Sequence, residues 1–192
     1  MPRGLTKKLI RFGNWLSAGL VVAALVAMAF VYGRWLYREQ RWNALIEQAA
    51  RQYDVDKFLI KAVMRQESGF DSFAYSRAGA IGLMQVMDGT GADWARAVGR
   101  RDYSTGSLWL PQYNIEAGTW YLARALTYWR AQGVDDPVPF ALAEYNAGRG
   151  NVQRWRAPTA EEFRNRITNA GVRHYIRRVT DYYENYQARG QL

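Results

Sequence analysis

The chain contains no cysteine. That excludes disulfides, thiolate metal sites and a lipid-modified N-terminal cysteine, and it is compatible with an oxidising compartment without fixing one. Histidine occurs once, at His174, which argues against a histidine-based metal site and against a serine–histidine triad. Strand-like alternation is nearly absent, as are internal repeats and low-complexity tracts, so the predicted class is mostly α. Acidic residues are missing from the whole N-terminal stretch before Glu39, although Arg3, Lys7, Lys8 and Arg11 all fall there.

What remains is 192 residues, 49% hydrophobic and 15% aromatic, with a net charge of +9. That is enough for one globular domain with its own core plus a short extra segment. The positive balance fits either a basic solvated surface or attraction to an anionic polymer. Nucleic acid is not expected as a partner, because the basic residues are scattered and form no recognisable binding motif. A cell wall carrying acidic peptides is a second such polymer.

Trp15 to Gly33 is nineteen residues without a charge. As a helix it spans about 28 Å, close to the hydrocarbon thickness of a bilayer. Trp15, Tyr32, Trp35 and Tyr37 lie near its ends, where interfacial aromatics belong. Basic residues flank both sides, so the positive-inside count favours a cytoplasmic N-terminus only slightly. Two readings stay open: a permanent signal anchor, or a signal peptide cleaved near Ala29, since Ala27-Met28-Ala29 fits the small-x-small pattern. The expected organisation is a basic segment at 1–14, a membrane anchor at 15–33, a linker helix at 34–43 and a catalytic domain at 44–192.

Helical spacing of apolar residues runs from Arg34 to Tyr53, as one helix continuing from the membrane segment, and again from about Phe58 to Glu67. Further helices are predicted at 90–98, 114–131, 138–146 and 172–187. Glu67 is four residues beyond Val63 and shares its apolar face, and Gly69 is a natural stop. Burial and the negative end of a helix both disfavour a carboxylate, so Glu67 is placed to hold its proton near neutral pH. A raised-pKa carboxyl is the acid half of glycoside cleavage; the plain alternative is a helix-end glutamate in water.

Two further stretches carry chemistry. Gly79-Ala80-Ile81-Gly82-Leu83-Met84-Gln85 lets backbone approach a ligand closely, with the Gln85 amide offering a donor and an acceptor; it can equally be a tight turn over a core. Ala143-Glu144-Tyr145-Asn146-Ala147-Gly148 ends a helix with a hydroxyl and an amide, and ordinary capping explains it as well.

Taken in order, Glu67-Ser68, then Ser76 to Gln85, then Ala143 to Gly148 resemble the motifs of the soluble lytic transglycosylase (SLT) domain, within the lysozyme superfamily. Leu110-Pro111-Gln112-Tyr113-Asn114-Ile115 is similar to the stretch before that family's long helix. The resemblance covers roughly residues 44–186. It implies a lysozyme-like (α+β) architecture with a minimal β or loop region, preceded here by one transmembrane helix.

The resemblance also implies an enzyme, a periplasmic peptidoglycan lytic transglycosylase held in the bacterial inner membrane through residues 15–33. Its partners would be peptidoglycan glycan strands, with no metal or organic cofactor. Such enzymes cleave the β-1,4 bond between N-acetylmuramic acid and N-acetylglucosamine without water and leave a 1,6-anhydromuramoyl end. By similarity Glu67 is the single acid/base, Ser68 fixes the local turn, and Tyr145 bonds and orients Glu67. Ser76, Gln85, Met87, Asn146 and Tyr175 match positions that bind sugar or shape the cleft. Phe73 and Tyr75 either stack on sugar or pack in the core.

The chain departs from the pattern at Asp88, where proline is usual, at Glu144, where alanine is usual, and at Gly171 and Val172, where glutamate and threonine precede the Arg173-His174-Tyr175-Ile176 motif. Asp71, Asp88 and Glu144 therefore stand as candidates for the second carboxylate of a hydrolytic muramidase, which needs one at ~5 to 9.5 Å from the acid. A non-catalytic wall-binding scaffold is the third alternative.

Overall fold

The computed structural model describes residues 3–190 and 192, with side chains from Gly19 onward. The basic side chains of the 1–14 segment and that of Trp15 lie outside the described residues. The chain divides into two units, residues 1–41 and 42–192.

The first unit is helix α1, Arg3–Gln40. It is long and apolar enough to cross a membrane. From Leu20 to Tyr32 its large apolar side chains, among them Leu25, Phe30 and Val31, are exposed. An unburied apolar surface all round a helix is what lipid, rather than a protein core, accommodates.

The second unit holds a core of its own, running in sequence from Ile46 to Tyr186. Its elements are α2 (Asn43–Tyr53), α3 (Lys57–Ser68), α4 (Asp88–Ala97), a short 3-10 helix (Thr105–Trp109), α5 (Pro111–Ala131), α6 (Pro137–Ala147), α7 (Arg149–Trp155), α8 (Ala160–Arg166) and α9 (Ala170–Arg189). The single helix expected over 34–53 is interrupted: Arg41 and Trp42 form a turn. The Trp42 indole donates to the Phe70 carbonyl (3.4 Å), which ties the start of α2 into this unit. Helices α7 and α8 and the 3-10 helix were not predicted.

Local chemistry explains the boundaries. Asp56 and Asp136 accept from the backbone amides of Phe58 and Val138 at the starts of α3 and α6, and Pro111 and Pro137 open α5 and α6 where no amide is needed. Asn169 caps α9 by accepting from Gly171 and Val172. Gly69, at φ +56°, ends α3 in the left-handed conformation that a side chain would disfavour.

Two helices lie at the centre. In α3 the six consecutive residues Leu59 to Met64 are buried, and in α6 the six from Pro139 to Glu144, so neither has a solvent face along those turns. The main packings are α3 against α9 and α5 against α6. Phe140 stacks on Phe163 at 3.9 Å and lies 5.2 Å from Trp129, tying α5, α6 and α8 together. The region between α3 and α4 has no continuous strand; it holds two antiparallel bridges, Tyr75 with Ile81 and Ile81 with Val86. That loop and the end of α3 build the site.

Candidate active site

Glu67 is the last residue but one of α3. Its side chain leaves the central helix where the helix ends, so the carboxyl is largely desolvated yet reachable. Burial is the larger influence on its titration and pushes it up from 4.5 to about 7; a hydrogen bond from Tyr175 pulls the other way. Burial prevails, because a single donor recovers only part of the hydration an ionised carboxylate loses.

The donor to Glu67 is the Tyr175 hydroxyl, at 2.6 Å from Oε1. Tyr175 is nearly enclosed within the first turns of α9. Tyr145, at the end of α6, donates instead to the Met84 carbonyl at 2.8 Å. The bond expected from Tyr145 to Glu67 is therefore made by Tyr175. A phenol has one proton, and the Met84 carbonyl takes that of Tyr145. Tyr145 still lies close enough for the Glu67 charge to act on it, and both phenols titrate above their usual value, chiefly through burial. Both hydroxyls thus remain donors wherever Glu67 changes charge.

The loop opposite is held by main-chain geometry. Ser68 Oγ lies 2.8 Å from the Leu83 carbonyl and 3.2 Å from that of Met64, joining the end of α3 to the glycine turn. Ser76 Oγ accepts from the Ala80 amide at 2.9 Å and closes its own turn. Gln85 has φ +49°, a conformation uncommon outside glycine. Its amide nitrogen donates to the carbonyls of Gly82 (3.0 Å) and Ala74 (3.2 Å). Those two bonds match the two amide hydrogens, so the oxygen is what Gln85 has to offer a ligand. Met87 and Asn146 are exposed at the start of α4 and the end of α6.

Three residues that shape this region carried no role in the sequence reading. Asn114, buried on α5, accepts from the Met84 amide (2.8 Å) and donates to the carbonyls of Ile81 (2.7 Å) and Leu108 (2.9 Å). Gly118, one turn on, makes room for the same loop: a Cβ there would meet Met84 Sδ at 2.6 Å and Tyr145 Oη at 2.9 Å. Arg149, just past Gly148, forms two bonds to Glu144 Oε1, at 3.0 and 2.8 Å. Asn114 lies in a motif that the sequence displays; Gly118 and Arg149 have no signal short of the fold.

The Arg149 contact decides the standing of Glu144. Trp129 Nε1 donates to its other oxygen at 2.8 Å, and the residue is 1% exposed. Glu144 is thereby a buried ion pair with both oxygens engaged, not a carboxylate presented to water. Asp88 accepts from Tyr103 (3.0 Å) and Thr105 (2.6 Å) at the start of α4. Asp71 accepts from the Phe73 amide (3.0 Å) within its turn. Among the described residues no group of three or more metal-ligating side chains occurs.

A buried carboxyl titrating at about 7, with one phenol donor and a backbone-rich loop opposite, can give a proton to a bound group and take one back. Comparison with known proteins supplies the family. The model of the transglycosylase SLT domain matches residues 44–167. The chain is 36% identical over 143 residues to the membrane-bound lytic murein transglycosylase C of Shigella sonnei (strain Ss046), covering 72% of this chain. It spans 40% of that relative's length. Among solved structures it resembles an inactive mutant of the lytic transglycosylase Slt of Pseudomonas aeruginosa, with a TM-score of 0.70, 30% identity, and coverage of 78% of this chain and 24% of that one. The 70 kDa soluble lytic transglycosylase of Escherichia coli gives 0.67 at 30% identity, over 77% and 24% of the two chains. A complex of a 70 kDa soluble lytic transglycosylase with bulgecin A gives 0.69 at 30% identity, over 78% and 24%. The mostly helical fold is that of these lysozyme-like domains.

Proposed function

The chain belongs to the transglycosylase SLT domain family, and on that footing we propose that residues 44–192 act as a peptidoglycan lytic transglycosylase with Glu67 as the single acid/base. The substrate is the β-1,4 bond between N-acetylmuramic acid and N-acetylglucosamine. The observation that carries this reading is the Glu67 carboxyl itself, raised to about 7 by burial and bonded by Tyr175. A group titrating there is protonated often enough to give a proton and basic enough to recover one.

In the first step the Glu67 carboxyl protonates the glycosidic oxygen as its bond to the muramoyl C1 breaks. The acetamido carbonyl oxygen of the same sugar attacks C1 and holds the positive charge. In the second step the Glu67 carboxylate takes the proton of the muramoyl C6 hydroxyl. O6 then bonds to C1, the acetamido group leaves, and Glu67 is again an acid. No water is consumed. Tyr175 steadies the carboxylate between the steps, and Tyr145, bonded to the Met84 carbonyl, fixes the loop opposite. Glu144, bound on both oxygens, speaks against a hydrolytic route through that residue.

The same reading places α1 in the inner membrane through residues 15–33 as an anchor, with the catalytic unit in the periplasm; cleavage near Ala29 is the alternative it must beat. Digestion of purified peptidoglycan by wild type and Glu67→Gln, followed by mass spectrometry of the muropeptides, tests the chemistry. Anhydromuramoyl ends that vanish in the variant are expected. Reducing muramic ends would instead make the protein a hydrolase, and an uncut wall would leave only a scaffold.

A further inference from the structure

The loop that faces Glu67 carries an apolar surface that the reaction does not use. Phe73 is 79% exposed and Tyr75 66%, and Trp109, at the end of the 3-10 helix, is 37% exposed. Met87 and Leu110 are exposed as well. The rings of Tyr75 and Trp109 lie 6.0 Å apart, tilted by 32°, although 34 positions separate them in the chain. Exposed aromatic side chains gathered from distant segments mark a binding groove more often than chance.

Both rings are fixed to the site by backbone. Tyr75 pairs with Ile81, whose carbonyl is bonded by Asn114. Trp109 follows Leu108, whose carbonyl accepts from the same Asn114 nitrogen. The third bond of Asn114 holds Met84, next to Gln85 and to the Leu83 carbonyl that Ser68 contacts. One buried amide therefore sets Tyr75 and Trp109 relative to the neighbour of Glu67. We propose that Tyr75 and Trp109 form an aromatic platform that stacks sugar rings of the glycan strand outside the cleaved linkage. The proposal rests on the peptidoglycan reading and extends it to where the rest of the strand lies.

The chemistry fits a glycan. Pyranose rings present flat C–H faces to aromatic rings, and Tyr and Trp each add a polar tip for sugar hydroxyls. Phe73 lies on the same loop as Tyr75, two residues earlier, and adds apolar area at its turn.

The full chain in detergent, carrying Glu67→Gln to prevent turnover, is titrated with peptide-free glycan strands. Tyr75→Ala and Trp109→Ala are each expected to weaken binding about tenfold, whereas Tyr75→Phe and Trp109→Phe retain most of it. With Glu67 restored, the alanine changes should act on KM rather than kcat, and more on long strands than on short ones. Unchanged affinity in both alanine variants overturns the platform, as does a loss confined to kcat. Absence of cleavage by wild type would sink the enzymatic reading separately, since the binding titration needs no turnover.

Discussion

Replacing Glu67 by glutamine should make the catalytic unit more stable, and only above a defined pH. The Glu67 carboxyl titrates at about 7 in the fold against 4.5 for the ordinary group. The folded state therefore binds this proton more tightly than the unfolded state. Below pH 4.5 both states hold it and the difference contributes nothing. Between pH 4.5 and about 7 the unfolded chain gives up the proton while the fold retains it, and stability falls as pH rises. Above 7 the fold must carry the charge itself, and the loss is complete. At ~1.36 kcal/mol per pKa unit the full loss is about 3.4 kcal/mol. The carboxyl keeps some access to solvent, so about 2 kcal/mol is the expected figure.

Glutamine keeps an acceptor for the Tyr175 hydroxyl and never ionises. Urea denaturation of residues 42–192, wild type and Glu67→Gln, at steps from pH 4 to 8.5 measures the difference. Every other group titrates alike in both proteins and cancels. The gap should open in favour of the variant by about 2 kcal/mol between pH 4.5 and 8. A gap that stays flat across that range would mean that Glu67 ionises freely in the fold, and the acid role would lose its physical basis.

Other consequences follow from the same geometry. The kcat/KM of the wild type should fall tenfold per pH unit above about 7, the limb belonging to loss of the Glu67 proton in the free enzyme; an alkaline limb near 4.5 would contradict it. Tyr175→Phe removes the bond that favours the carboxylate, so the limb should move to higher pH while kcat drops, and a move to lower pH would refute the assignment. Glu144→Ala leaves Arg149 and Trp129 without their acceptor and should cost about 3 kcal/mol in urea titrations, with whatever product remains still carrying anhydro ends. Gly118→Ala would drive a methyl into Met84 and Tyr145 and should lower stability by about 1 to 3 kcal/mol, read as a fall in Tm.

The long helices were legible because their signals are local. Gly69 marked the end of α3 within a turn of where it acts, whereas Pro111 opens α5 three residues before the expected start at 114 and Pro137 opens α6 one residue before 138. The apolar face and glycine stop beside Glu67 left a helix-end glutamate in water open, and the ordered motifs of the family resemblance were what singled it out; in the fold, burial is the cause of the rise in its pKa. Helices α7 and α8 have seven residues each, too few for a periodic pattern to stand out, and packing such as that of Phe163 on Phe140 holds them in place. Which tyrosine bonds Glu67 was not legible. Tyr145 and Tyr175 both reach the site, and only the packing of α9 along α3 puts the second, 108 residues away, within 2.6 Å. Glu144 read as an open departure because nothing in sequence places Trp129 and Arg149 against both its oxygens.

The bonding of Asn114 bears on how such a domain can be rebuilt. Its side chain joins three main-chain groups from two segments, 81–84 and the end of the 3-10 helix. Aspartate would supply the acceptor and lose both donors, and leucine would strand all three partners. The two segments therefore behave as one cassette. Grafting 70–87 from a relative without 105–114 would pair one main-chain trace with a key cut for another. Exchanged together around the same asparagine, they offer a route to transplanting strand preference between enzymes while Glu67 and Tyr175 stay where they are.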